Sequence, residues 1–350
     1  MRRLLLTLVA AVSLSLVATL GAADDLVLAR FAEYLESLRT QSGIPALTAS
    51  IVGPADVQWE RAFGLQNIER SVNARLDTPF HLDALTQLFT ATMVLRCVEE
   101  GRLSLEDQIG TYAAGAPEPN ATLRQLLTHT SGTPDNLGFS YRPDRLAPLA
   151  SAVASCWSEP FRPALAAWLE QRGMMDSVPG PDVVSSPPPG MPAPTIDRYR
   201  NVLSRLATPY SVDGQGRASQ SRYVATTLTP ASGVVSTVID MEKFDLALKR
   251  GVLLRPETVT AAWNAPAGRS GQPLPHGLGW FVQSYAGEPV VWQFGVGDGG
   301  SSSMVVTLPR RGLTLIILAN SDGLARPFAL ASGDLTVSPF GRLFLGIFVR

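Results

Sequence analysis

The chain has 350 residues, of which 45% are hydrophobic and 17% charged. This excludes a disordered polyelectrolyte and a fibrous repeat and leaves ample length for a buried core. Its net charge is −1, with 29 basic and 30 acidic residues, so nothing suggests a nucleic-acid partner.

Residues 1–23 carry Arg2 and Arg3, an apolar run from Leu4 to Leu20, and a small-residue end at Ala22-Ala23. These are the three parts of a secretory signal. The alternative is an uncleaved anchor, since the apolar run is near the lower limit of about 17 residues for a bilayer span. Cleavage is the favoured reading. It leaves 27 basic against 30 acidic residues, with no stable membrane span, and implies a periplasmic or secreted product. No cysteine precedes Cys97, so a lipid-modified cysteine after the signal is excluded. Cys97 and Cys156 can pair in an oxidising compartment or stay as buried thiols, and a cysteine-based metal site is unsupported.

Asp24 to Thr40 reads as an amphipathic helix, with Leu28, Phe31, Leu35 and Leu38 on one stripe. Ala46 to Val52 and Val57 to Phe63, split by Gly53-Pro54-Ala55-Asp56, predict a hairpin at a sheet edge. A long helix starts near Ala84 and stops at Gly101. Asn120 to Thr130 and Pro160 to Gly173 also read as helical. Ser177 to Thr195, crowded with proline, glycine and serine, reads as an exposed loop.

Toward the end, Trp280 to Ser284 and Val290 to Gln293 are strand-like. Met304 to Leu308 and Leu313 to Ala319 flank Pro309-Arg310-Arg311-Gly312 as a second hairpin, whose arginines read as solvated. Gly341 to Arg350 reads as a terminal helix or strand packed on the sheet. The pattern predicts an α+β fold in which N- and C-terminal segments share a central antiparallel sheet, helices flank it, and a mostly helical insertion lies between. The expected organisation is a signal at 1–23 and a single domain at 24–350.

Several phrases, in order along the chain, resemble the class C β-lactamase and D-alanyl-D-alanine carboxypeptidase family. They are Gly43-Ile44-Pro45-Ala46, Thr78-Pro79-Phe80, Leu126-Leu127-Thr128-His129-Thr130-Ser131-Gly132 and Gly173-Met174-Met175-Asp176-Ser177. Ala231-Ser232-Gly233-Val234-Val235-Ser236-Thr237, Gly277-Leu278-Gly279-Trp280 and Leu318-Ala319-Asn320-Ser321-Asp322-Gly323 continue the series. These phrases are mainly scaffold, so they speak for family and not for activity.

The resemblance implies acyl transfer through a serine that opens a helix, with a lysine one turn on. In Phe80-His81-Leu82-Asp83-Ala84-Leu85-Thr86-Gln87 those positions fall on Ala84 and Gln87. A methyl group forms no acyl-enzyme, and a neutral amide is no base near pH 7. Thr86 is turned roughly 200° from Ala84 at about 100° per residue, so it faces elsewhere. The chain's two lysines, Lys243 and Lys249, belong to a later helix and do not replace the missing one.

The family's Tyr-x-Asn is best matched by Tyr141-Arg142-Pro143, with proline for the amide. A tyrosine packed under a loop is an equal reading. The His-x-Gly or Lys-Thr-Gly strand falls within Gln293-Phe294-Gly295-Val296-Gly297, where Phe294 best matches the basic residue, in a register open by one or two residues. Neither His nor Lys lies between Trp280 and Met304. Of three histidines, His129 and His276 belong to scaffold phrases and His81 precedes the helix; no Gly-x-Ser-x-Gly turn occurs. Gly297-Asp298-Gly299-Gly300 with Ser301, Ser302 and Ser303 reads as a glycine-rich strand start rather than a phosphate loop or a new nucleophile.

The expectation is an exported, catalytically inactive family member, with no cofactor and no metal, that binds a peptide-like or cell-wall-derived ligand or a protein partner. The candidate ligand-binding residues are Ala84, Gln87, Tyr141, Phe294 and Val296. The alternative is an active acyl hydrolase, of esterase, D-Ala peptidase or β-lactamase type, using a relocated nucleophile. A third reading is a decaying product, or a stabilising partner of an active paralogue.

Overall fold

In the computed structural model, which describes residues 25–224 and 227–349, the chain begins as helix α1 over residues 25–41. Strands β1 (Ala46–Val52), β2 (Val57–Asn67), β3 (Val72–Asn73) and β4 (Phe80–His81) follow. A single 3-10 turn at Asp83–Leu85 then opens α2 (Thr86–Glu99). The middle of the chain carries α3 (Leu123–Leu127), α4 (Leu149–Trp157), α5 (Phe161–Gln171), β5 (Val178–Pro179), α6 (Ala193–Ser204), β6 (Tyr210–Val212) and β7 (Ala218–Gln220). After β8 (Val234–Ser236), α7 (Val238–Lys249) and α8 (Pro256–Ala262) come β9 (Phe281–Tyr285), β10 (Glu288–Gly297), β11 (Ser301–Leu308), β12 (Leu313–Ala319) and α9 (Pro339–Phe348). The signal expected at residues 1–23 lies outside the described residues.

The α+β architecture expected from the sequence is the one observed. Seven strands form a sheet in the order β3-β2-β1-β12-β11-β10-β9, and each pairing is antiparallel. The two ends of the chain meet in its middle, where Leu47 pairs with Ala319 and Val52 with Thr314. Asn320 fastens this seam: the Ala46 N–H donates to its Oδ1 at 2.8 Å, and its Nδ2 donates to the Thr208 carbonyl at 3.0 Å.

All seven residues of β1 are buried, because both faces of the sheet are covered. Leu47, Ala49 and Ile51 pack with Phe31 and Leu35 of α1 and Phe340 and Phe344 of α9. Val52, Ile316 and Leu318 face the other way, into a core shared with α2, α4, α5 and α7.

Three local expectations change. Ser177 to Thr195 is an exposed loop only in its second half: residues 177–184 contain β5 and a 3-10 turn at Pro181–Val184, with Val178 and Val183 fully buried, while residues 185–192 are mostly exposed and irregular. Its prolines do not exclude structure, for Pro192 and Pro194 stand at the start of α6, where a missing N–H costs nothing. The helix at Asn120 to Thr130 contracts to α3, begun by a capping box of Thr122 and Gln125. Helix α4 was unread, although Leu149, Ala152, Val153 and Cys156 are spaced as a buried helical stripe.

Cys97, near the end of α2, and Cys156, near the end of α4, form a disulfide. The sequence left that pairing open. Among the described residues no helix is long and apolar enough to cross a membrane.

Candidate functional site

The start of α2 is pressed onto β10. A Cβ at Gly295 would collide with the Leu82 carbonyl and stand 3.0 Å from the Ala84 nitrogen, so only glycine lets residues 82–84 lie this close. Ser303 Oγ on β11 donates to the Leu82 carbonyl at 2.7 Å, and the Leu82 N–H donates to Val234 O at 2.9 Å. Between these anchors Asp83 is held at φ +49°, and Ala84, half-buried, follows at the helix start. Its methyl carries no reactive group.

One turn on, Gln87 is 1% exposed and its amide is bonded at both ends. Its Nε2 donates to Tyr141 Oη at 2.9 Å, and its Oε1 lies 3.0 Å from His129 Nε2. The Arg142 N–H donates to His129 Nδ1 at 3.3 Å, which fixes the tautomer: Nε2 carries the proton and donates to Gln87. Tyr141 Oη in turn donates to Gln293 Oε1 at 3.3 Å, and Gln293 Nε2 donates to the Gly279 carbonyl at 3.2 Å. Donation therefore runs one way, from His129 through Gln87, Tyr141 and Gln293 to the backbone.

Every member of this relay is neutral. Burial holds the His129 imidazole well below its ordinary value, and His276, whose ring is 4.7 Å away, adds to that. Burial brings His276 itself down to about 3. Burial likewise raises the Tyr141 phenol far above its ordinary value, with the Gln87 bond only partly opposing. Aromatic rings pack around the relay: Tyr141 lies 5.0 Å from Phe281 and 5.5 Å from Phe294, and His276 lies 4.7 Å from Phe281. A buried network of this kind neither supplies nor accepts a proton near neutral pH.

The structure thus brings Gln87, Tyr141 and Phe294 together. Phe294 is 5% exposed and takes part through its ring alone, and Val296, two residues on, packs on the edge of the same apolar cluster. The polar contribution of β10 comes from Gln293, which the sequence reading passed over, because adjacent side chains on a strand face opposite ways. His129 was read as scaffold and is in fact bonded to Gln87. No local signal marks it, because its bond to Gln87 spans 42 residues of sequence.

Thr86 turns away as expected, its Oγ1 accepting from the Val234 N–H at 3.2 Å. Neither lysine approaches Gln87. Lys243 Nζ donates to Asp240 at 2.8 Å and to the Gly173 carbonyl at 2.7 Å, and Lys249 pairs with Asp245 at 2.7 Å. Arg310 and Arg311 are less free than expected: Arg310 donates to the Gly287 carbonyl at 3.0 Å, and Arg311 lies 3.9 Å from Glu288. Among the described residues no cluster of three or more His, Cys, Asp or Glu is placed to hold a metal ion.

A fold of this kind, with a helix start set against a sheet strand, is that of the serine β-lactamases and penicillin-binding proteins. The family model described as Beta-lactamase matches residues 31–166 and 186–334, and the chain belongs to that family. It is 23% identical over 301 residues to penicillin-binding protein 4* of Bacillus subtilis (strain 168), covering 76% of this chain and 66% of that relative. The chain therefore spans just under two thirds of that relative's length. Among solved structures, the octameric penicillin-binding protein homologue from Pyrococcus abyssi superposes with a TM-score of 0.70 at 19% identity, over 85% of this chain and 74% of that one. The class C β-lactamase from Rhodobacter sphaeroides gives a TM-score of 0.64 at 18% identity, over 83% and 94%. These likenesses show the fold.

Proposed function

We propose that this protein is an exported, catalytically silent member of the β-lactamase family that binds a peptide-like or cell-wall-derived ligand, or a protein partner, at the start of α2. The observation that carries this reading is the relay at Gln87. A methyl group stands where the family's nucleophile belongs. Where its lysine belongs, a neutral amide has both ends committed to His129 and Tyr141. The name of the Bacillus relative supports a cell-wall connection, and the Cys97–Cys156 disulfide supports an oxidising compartment.

Incubation with a fluorescent penicillin and with a phosphonate probe, read by intact mass, tests the silence. No adduct is expected, and a stoichiometric adduct on the wild-type chain would establish the rival reading of a relocated nucleophile. The companion experiment restores Ala84→Ser and Gln87→Lys together. A lysine buried against the His129 N–H is pressed toward its neutral, accepting form, which is the form that acts as a base. The folded double variant is expected to be acylated by an activated ester. Complete silence in a folded variant would mean that the missing basic residue of β10, or a filled site, also blocks the chemistry.

A further inference from the structure

Asp83 has a setting that the Gln87 relay does not use. It adopts φ +49°, is 6% exposed, and its Oδ2 has no hydrogen-bond partner. Its Oδ1 faces the sheet, where a Cβ at Gly297 would come within 2.5 Å of it and 2.6 Å of Ser301 Oγ. The absence of a side chain at Gly297 makes the space in which carboxyl and hydroxyl meet.

Two segments close over this point. One is the turn at residues 297–300 between β10 and β11. The other, residues 221–224, lies along it: Ser221 Oγ donates to the Gly299 carbonyl at 2.5 Å and the Val224 N–H to the Asp298 carbonyl at 3.3 Å. The Arg222 carbonyl occupies the place a Cβ at Gly299 would need. Tyr223 stacks on His81, ring centroids 4.0 Å apart, and donates to the Ala207 carbonyl at 2.7 Å. Together they form a flap seated on the residue before Ala84.

The groups facing Asp83 are few. Ser301 comes from β11, Asp298 from the turn, Tyr223 from the flap and Arg326 from the segment after β12. Arg326 is already committed, donating to Asp298 Oδ1 at 2.7 Å, the Gly297 carbonyl at 3.2 Å and Asp322 Oδ2 at 2.6 Å. His81 is brought down to about 4 by burial and is neutral here. Burial, with Asp298 adding to it against Ser301 and Arg326, pushes the Asp83 carboxyl up to about 6.

We propose that Asp83 is a proton-controlled latch: protonated, it keeps the flap of residues 221–224 and 297–300 closed beside Ala84, and ionised, it releases it. The neutral carboxyl can donate its O–H to Ser301 and leaves no buried charge. The carboxylate has an oxygen without a partner and a like charge at Asp298, and the flap must lift to hydrate it. Because the carboxyl of the closed form holds its proton more tightly than a free one, closure is complete in acid and is lost as pH rises through about 6. The latch does not depend on what occupies the site.

Hydrogen exchange of residues 219–224 and 297–303, corrected for intrinsic rates, tests it. Protection at pH 7.5 is expected to fall by about tenfold relative to pH 5 in the wild type. Asp83→Asn, a neutral side chain that tolerates the left-handed backbone, is expected to stay protected at both. Equal protection of the wild type at both pH values, or the same pH dependence in Asp83→Asn, overturns the proposal. Should Asp83→Asn not fold, Asp298→Asn serves: removing the neighbouring like charge is expected to move the transition of the flap to lower pH. An unmoved transition is again a refutation.

Discussion

At Gln87 one amide satisfies two buried polar groups of opposite need. His129 Nε2 requires an acceptor and Tyr141 Oη takes a donor, and only a side chain with both ends can serve them at this length. Gln87→Ala would strand the His129 N–H, leave Tyr141 with Gln293 alone, and open a cavity. The expected loss is about 3 kcal/mol of unfolding free energy in denaturant titration, the usual cost of unsatisfied buried groups and lost packing. A loss below about 1 kcal/mol would mean that water replaces the amide and that the relay is not rigid. The spacing of Phe80 to Gln87 placed Ala84 and Gln87 at a helix start without any structure. What the amide holds was not legible, because His129 and Tyr141 approach it from 42 and 54 residues away.

The same limit operates at the level of elements. The hairpin of β1 and β2, the hairpin of β11 and β12, and the stripe of α1 follow from periodicity and turn residues alone. The register of β10 does not. Its pairing of Gln293 with Val305 and Gly295 with Ser303 decides that Gln293 reaches Tyr141 and that Phe294 joins the aromatic cluster. A shift of one residue would exchange those roles. Helices α2 and α4 give a second case, since their disulfide needed the fold to bring Cys97 and Cys156 together. With a sequence separation of 59, loop-closure entropy gives the bond about 4 kcal/mol. Cys97→Ser with Cys156→Ser is expected to lose an amount of that order, measured by chemical unfolding under non-reducing conditions. A change under about 1 kcal/mol would show that packing of α4 on α2 holds the pair together in the unfolded ensemble too.

Across the whole molecule, the pattern of residues 1–23 and the disulfide are what the proposed export rests on. The mature protein purified from its native compartment is expected to begin at or near Asp24 by N-terminal sequencing. A product that keeps Arg2 and Arg3 would show an uncleaved anchor and overturn the soluble, exported form. Composition, periodicity and the scaffold phrases were enough to determine the fold class, the family resemblance, and the absence of a serine and a lysine at Ala84 and Gln87. Those properties are written in local order and in residue identity, which need no third dimension. Tertiary structure alone decided that His129 and Gln293 belong to the site, that the whole relay is neutral, and that Asp83 is buried with one carboxyl oxygen unpartnered. Each of those facts depends on burial and on contacts between distant segments, and desolvation, which sets protonation, exists only once the chain has closed around the group.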